Sequence, residues 1–320
     1  MNRNASALLL ALWLTMALAL LVSVFAYAVN QEIAWTSWHR KKDEAGVLAK
    51  SALQYLPKLL EDQRRETAYG GKPPENPLDL DLFTGFWQSK DFALGRGTFH
   101  LAIRDVEQKI NVNTAPKELW ENFLSFTKLS EDDVRAWIDS LADWTDSNDA
   151  VRLNGAEDEY YSRLSPPYRA KNGPVTTLGE LLWVRKGPEV LSARLDPDVT
   201  RRAERVIDYL TVEGDGKINV NTAPLIVLAS LGHVDVATAE KWLNDRNGLD
   251  GVPGTEDDKP LESGLFQAGS TPDPMVTTRS DYFIVEGIGE VGGVRAAWRG
   301  LFVNEGGQLK KIKDIVDQDP

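Results

Sequence analysis

Two stretches of the chain concentrate oxygen-bearing side chains densely enough to hold a hard cation. The first is Asp143-Trp144-Thr145-Asp146-Ser147-Asn148-Asp149, running on to Asn154-Gly155-Ala156-Glu157-Asp158-Glu159. Calcium takes about six to eight oxygen ligands, several of them carboxylates. With Asp146 as the first position of an EF-hand loop, Asn148 falls on the third and Glu157 on the last. Val151 then stands where the sharp turn requires glycine, which argues against an EF-hand. The expectation is a non-EF-hand loop with Asp143, Asp146, Asn148, Glu157 and Asp158 as ligands; the plainer alternative is a solvated acidic loop. The second stretch runs from Asn244 to Asp258, where glycines and Pro253 force tight turns around Asp250, Asp257 and Asp258. Calcium (Ca2+) in either place would be structural, holding a loop that no apolar core holds.

Other chemistries are largely closed. The chain of 320 residues has no cysteine, which excludes disulfides, thiolate metal sites and Cys nucleophiles. Its three histidines, His39, His100 and His233, are far apart in sequence. A net charge of −12 argues against a nucleic-acid partner, which calls for a basic face. Gly287-Ile288-Gly289-Glu290-Val291-Gly292 fits a dinucleotide fingerprint, but too little chain follows for the rest of that fold. These glycines are read as the turn of a hairpin between strands Tyr282–Val285 and Val294–Val303. Neither a nucleophile elbow nor a Walker loop occurs, so the chain is read as a non-enzyme.

The elements that position the acidic loops begin with a long apolar run. Residues 5–29 carry no charge, and at 1.5 Å per residue they cross a hydrocarbon core of about 30 Å. A retained membrane helix is the main reading; a cleaved signal ending near Ala26-Tyr27-Ala28 is the alternative. Arg40, Lys41 and Lys42 lie beyond the run and leave the positive-inside rule undecided. Val47, Leu48, Ala52, Leu53, Leu56 and Leu60 recur at helical spacing, so the helix is expected to continue until Tyr69-Gly70-Gly71-Lys72-Pro73-Pro74 stops it.

The octapeptide Lys109-Ile110-Asn111-Val112-Asn113-Thr114-Ala115-Pro116 returns unchanged as Lys217-Ile218-Asn219-Val220-Asn221-Thr222-Ala223-Pro224. Each copy reads as a short strand, then a helix capped by Asn113 or Thr114 (Thr222 in the second copy) with Pro116 or Pro224 in its first turn. A second helix follows in each, from Ser130-Glu131-Asp132-Asp133 and over Ala237–Asn244. Such helix-hairpin-helix units grip DNA phosphates through a glycine-rich hairpin with nearby cations. Here copy one has Thr127-Lys128-Leu129 in that place and acids surround both copies. Protein packing is therefore preferred to a membrane-anchored DNA-binding or DNA-uptake protein.

Four segments together resemble the minor pseudopilin K (GspK) family of type II secretion systems. They are Ala7-Leu8-Leu9-Leu10-Ala11-Leu12-Trp13-Leu14, the two octapeptides, and the first acidic stretch with Tyr160-Tyr161, Pro166-Pro167-Tyr168-Arg169, Asn172 and Glu180-Leu181. The resemblance implies an α+β fold: a pilin-like long N-terminal helix on a small antiparallel sheet, interrupted by a large inserted helical domain. The sheet would use about Gly97–Asp105 and Tyr282–Val303. The implied layout is a cytoplasmic leader (1–4), a transmembrane helix (5–29) and a periplasmic stalk (30–69). The first part of the sheet (70–112), the helical insertion (113–216), the second repeat with the returning sheet (217–305) and a tail (306–320) follow. It also implies an inner-membrane, single-pass protein with its main domain in the periplasm. Minor pseudopilins I and J would be its partners at the pseudopilus tip. Prepilin peptidase would cut between Ala5 and Ser6, where the family has glycine before the cut, and the new terminus would be methylated. Leu10 stands where main pilins carry a glutamate, which suits a subunit with no neighbour above it.

Overall fold

A computed structural model of the chain describes residues 3–67, 86–200, 203–232, 235–249, 251, 258–268, 271–306 and 308–315. Helix α1 spans Arg3–Thr67 without a break, Pro57 included. From Leu10 to Arg40 every residue is exposed, and this part is long and apolar enough to cross a membrane. Further along, Ala45, Leu48, Ala49, Ala52 and Leu53 are buried. Val47, placed on the apolar face by spacing alone, is instead exposed: it sits between the buried rows, and the alanines at 45 and 49 take the packing role.

Strands β1 (Phe86–Gln88), β2 (Phe92–Leu94) and β3 (Gly97–Asp105) come next, with β1 and β2 both antiparallel to β3. Strand β4 (Ile110–Asn111) leads into helices α2 (Lys117–Leu124), α3 (Glu131–Thr145), α4 (Asp158–Tyr161), α5 (Gly187–Ser192) and α6 (Pro197–Thr200). Strands β5 (Leu210–Thr211) and β6 (Ile218–Asn219) then precede α7 (Leu225–Ser230) and α8 (Val236–Arg246). Short strands β7 (Gln267–Ala268), β8 (Thr271–Pro272) and β9 (Val276–Thr277) lead back to the long strands β10 (Tyr282–Val291), β11 (Val294–Glu305) and β12 (Gln308–Ile315). The main sheet has the order β1-β3-β10-β11-β12, with β2 beside β3. Residues expected as a tail thus supply its last strand, antiparallel to β11.

The chain divides into two compact units. One holds residues 1–54, 89–101 and 286–298; the other holds 55–88, 102–285 and 299–320. In the first, α1 lies close against β10. A Cβ at Gly287 would fall inside contact distance of the Ala49 carbonyl, and one at Gly289 would meet the Ala45 carbonyl. These glycines therefore serve close approach of helix to strand, not a turn. The β10–β11 turn is Gly292–Gly293, both at positive φ, so of the three motif glycines Gly292 alone lies in the turn, and β10 runs on to Val291 instead of ending at Val285. The second unit holds a continuous apolar core that includes Ile110, Trp120, Phe123, Trp137, Tyr161, Leu181, Leu210, Ile218 and Ile226.

Helix starts follow the sequence with one shift. Ser130 caps α3, accepting from Asp133 N at 3.1 Å, and Asp235 caps α8, accepting from Thr238 N at 2.9 Å. Pro116 and Pro224 sit at the cap positions of α2 and α7, so these helices begin two or three residues later than caps at Asn113, Thr114 or Thr222 would start them, and no side chain caps them. The proline ring fixes φ there, and no helical N–H is lost.

Candidate functional site

The first acidic stretch joins the end of α3 to the start of α4. Asp143 is fully buried on the last turn of α3, and its carboxylate accepts the Arg152 backbone N–H at 3.2–3.3 Å. The Arg152 guanidinium donates to Asp143 Oδ1 and to Asp146 Oδ2, each at 2.6 Å. Bonding first to Asp146 and then to Asp143 holds the Arg152 pKa above its ordinary value. Gly155 is required beside them, because a Cβ would overlap the Asp143 carboxylate. Asn154 is tied to Asp139 Oδ2 by its backbone N–H at 3.0 Å and its side-chain amide at 2.9 Å.

Glu157 differs from its neighbours. It is 5% exposed, and among the described residues both its carboxylate oxygens are buried without a hydrogen-bond partner. Burial raises its pKa, and the charges of Asp143, Asp146 and Asp149 add to the rise. An unpartnered buried carboxylate is costly, and a cation beside Glu157 would relieve that cost. The other expected ligands are engaged elsewhere. Asn148 donates to Asp146 Oδ1 at 2.8 Å and accepts from Ala150 N at 2.9 Å. Asp158 accepts from Ala170 N at 2.8 Å and lies 3.8 Å from Arg169. Among the described residues, no three His, Asp or Glu side chains stand together in a metal-holding group. Asp143, Asp146 and Glu157 fit a cation only if Arg152 withdraws from the carboxylates it now bridges.

In the second acidic stretch Asp250 and Asp257 lie outside the described residues. Asp258 is near Arg246, a residue that spacing did not single out. Arg246 is 4% exposed and donates from Nη1 to the carbonyls of Val220 at 2.8 Å and Ala223 at 2.9 Å. Burial pushes its pKa down to about 10, and the charge of Asp258 opposes that shift. Ala5 and Ser6 lie in the first turns of α1; their side chains are outside the described residues.

The repeated octapeptide forms the same hydrogen bonds twice. β4 pairs in parallel with β5, and β6 with β9. Asn111 Oδ1 accepts from Asn113 N at 3.0 Å, and Asn219 Oδ1 from Asn221 N at 2.9 Å, the Asx-turn pattern. The second asparagine of each copy then grips a remote backbone. Asn113 accepts from Val175 N at 2.7 Å and donates to Val175 O at 3.0 Å. Asn221 accepts from Leu261 N at 2.7 Å and donates to Thr278 O at 3.0 Å. The copies also meet: Asn122 on α2 donates to Ser230 O on α7 at 3.1 Å. That amide stands where a Cβ at Gly232 would be, so the one hairpin glycine of copy two admits a side chain of copy one.

A buried polar knot lies where β3 leaves the sheet and β10 returns. Asp105 accepts from Thr222 Oγ1, from Ser280 Oγ at 2.6 Å and from Glu107 N at 2.8 Å. Asn219 donates to Ser280 Oγ at 2.7 Å, and Glu107 accepts from Asp281 N at 2.7 Å. Burial pushes the Glu107 carboxyl up to about 9; the Asp281 N–H opposes this, while the charges of Asp105 and Asp215 add to it. No sequence signal joins Asp105 to Ser280 across so many residues. Thr222, expected only as a helix cap, instead donates to Asp105.

Buried acids, clamped asparagines and capped helices make a held shape. Comparison with known proteins agrees in detail. Residues 100–202 match the family model described as type II secretion system (T2SS), protein K. The type II secretion system protein K of Aeromonas hydrophila is 28% identical over 246 residues, which cover 68% of this chain and 70% of that one. Its counterpart from Pseudomonas aeruginosa PAO1 is 28% identical over 218 residues, covering 65% and 61%. Among solved structures, a chain of the GspK-GspI-GspJ complex from enterotoxigenic Escherichia coli superposes with a TM-score of 0.55 at 16% identity. The match covers 84% of this chain and 97% of that one. With the long helix, the sheet and the twice-used octapeptide, the chain is similar to type II secretion system protein K in sequence over residues 100–202 and in fold over most of its length.

Proposed function

We propose that this protein is a minor pseudopilin that forms or caps the tip of the pseudopilus, with minor pseudopilins I and J as its partners. The observation that carries the reading is the fold correspondence with a chain solved as part of a GspK-GspI-GspJ complex. The exposed apolar half of α1 supports a single crossing of the inner membrane, with the main domain in the periplasm. Processing by prepilin peptidase between Ala5 and Ser6, followed by methylation, belongs to the same proposal. Work of this kind is assembly, for which no catalytic group is needed. The test is co-expression of the full chain with pilin-like I and J partners and purification from detergent-solubilised membranes. A stable three-chain complex is expected; recovery of the chain always alone would overturn the reading.

Structural calcium at the first acidic loop is part of the proposal, supported by the unpartnered Glu157 carboxylate. Asp143, Asp146 and Glu157 would hold the ion, which would neutralise their charges and tie α3 to α4. Replacing Asp146 and Glu157 by Ala is expected to lower the melting temperature much more in calcium than in chelator, where only the Asp146 contacts to Arg152 and Asn148 are lost. Identical melting of the wild-type chain in calcium and in chelator would count against the site.

A further inference from the structure

The apolar run of α1 ends at Val29, and the next charged residue is Glu32. Just beyond it the helix carries a cluster of rings exposed to solvent. Trp35 and Trp38 are 66% and 45% exposed with centroids 6.3 Å apart, and His39 lies 4.5 Å from one and 5.0 Å from the other. Along the axis, Trp35 and Trp38 stand roughly 9 and 13 Å beyond Val29. For a helix that crosses at its apolar run, that is the level at which lipid headgroups meet water. Indole rings favour this level because one edge is apolar and the N–H is polar.

Cations gather at the same end of this unit. Arg40, Lys41 and Lys42 follow the rings directly. Lys42 donates to the Arg295 carbonyl at 2.8 Å, and the Lys41 side chain lies beside the Gly292 turn. Arg96 forms the tip of the β2–β3 turn and shares a shallow groove with Arg40, Val47 and Leu94. Arg40 pairs with Glu44 at 3.0 Å, whereas Lys41 and Arg96 make no ion pair among the described residues. In a chain of net charge −12, the cluster Arg40-Lys41-Lys42 next to the apolar run, with Asp43 and Glu44 one turn further from the membrane, complements an anionic surface.

We propose that Trp35, Trp38, Arg40, Lys41, Lys42 and Arg96 form an interfacial collar that binds the phosphates of anionic phospholipid headgroups. The collar fixes the height and rotation of this unit on the bilayer; the inference rests on reading α1 as a membrane helix. The rings enter the headgroup layer and the cations engage its phosphates. The electrostatic part fades within a Debye length, so salt weakens it.

Because the chain lacks cysteine, a fluorescent donor placed through Ala93→Cys, exposed beside Arg96, labels a single position. The full chain is reconstituted into vesicles of phosphatidylcholine, alone or mixed with phosphatidylglycerol, with an acceptor dye on the headgroups. Energy transfer is expected to be about two-fold higher with phosphatidylglycerol and to fall to the phosphatidylcholine level in high salt. Arg40→Gln, Lys41→Gln and Arg96→Gln together should abolish the difference, while Trp35→Ala with Trp38→Ala should lower transfer in both lipids. Equal transfer in the two lipids would overturn the collar, as would a triple variant that behaves like the wild type. Transfer that rises only when an acidic partner helix is co-reconstituted would assign the cations to that helix and overturn it as well. Failure of the chain to float with vesicles would instead refute the membrane reading of α1, a separate and distinguishable result.

Discussion

Lys109–Pro116 and Lys217–Pro224 are the same eight residues in two different surroundings. Both make a two-residue parallel strand, an Asx turn and an asparagine clamp, and then start a helix at a proline. Their burial differs. Thr114 is exposed, whereas Thr222 is buried and bonded to Asp105. Burial lowers the pKa of Lys109, whereas hydrogen bonding to Asp215 raises that of Lys217. α2 presents one apolar face, whereas every residue of α7 is buried. The hydrogen bonds thus travel with the local sequence, while tertiary position decides what each residue costs or contributes.

That contrast predicts unequal losses from equal substitutions. Asn221→Ala leaves the N–H of Leu261 and the carbonyl of Thr278 without partners in a buried place, and should cost about 2–3 kcal/mol in urea unfolding. Asn113→Ala, in a half-buried place, should cost about 1 kcal/mol. Equal losses would mean that surroundings do not matter.

Each copy is preceded by an acid two residues upstream, Glu107 or Asp215, and the charge of Asp215 adds to the rise in the Glu107 pKa that burial causes. Between its ordinary value of 4.5 and about 9, Glu107 holds a proton in the folded chain that the unfolded chain releases. Stability therefore falls as pH rises through that window, by at most about 1.4 kcal/mol per pH unit. Glu107→Gln removes this dependence. Relative to the wild type, the variant should gain about 1–2 kcal/mol between pH 6 and pH 8 in parallel melts. A pH profile identical to the wild type would place the proton elsewhere.

Gly216, just before copy two, has φ of +93°, and a Cβ there would strike the Thr114 side chain of copy one. Gly216→Ala should cost about 1 kcal/mol. Gln108→Ala, the matching change before copy one, loses a hydrogen bond to Asp105 O and should cost less. The smallest effect is expected from Lys217→Gln, whose ion pair with Asp215 is largely exposed, at about 0.5 kcal/mol or less. A larger loss would show that this lysine is more than a solvated partner.

Much of the fold was legible from residue order. β3 occupies the Gly97–Asp105 that the family resemblance implied, while α1 runs unbroken to Thr67 and Ser130 begins α3 where the residue pattern itself suggested. These features depend on neighbours within a few residues of one another. Contacts made across the fold were not legible. Gly287 and Gly289 look like turn residues until α1 is laid against them. Arg152 and Arg246 look like incidental charges within acidic loops, yet one bridges Asp143 and Asp146 and the other holds the backbone of the second repeat. The ligand list illustrates the same limit. Spacing assembled Asp143, Asp146, Asn148, Glu157 and Asp158, but only the direction of each side chain shows that Glu157 lacks a partner while Asp158 serves Ala170.

The central claim, that this chain works by joining other pilin-like subunits at the membrane, is tested most directly by crosslinking in intact cells. A single cysteine replacing Val47, which is exposed on α1, can be combined with single cysteines along the stem helices of the I and J partners. The account predicts specific adducts with those stems, in the membrane fraction, whenever all three chains are made. A chain that stays uncrosslinked at every stem position, or that is recovered free of the membrane, would contradict it.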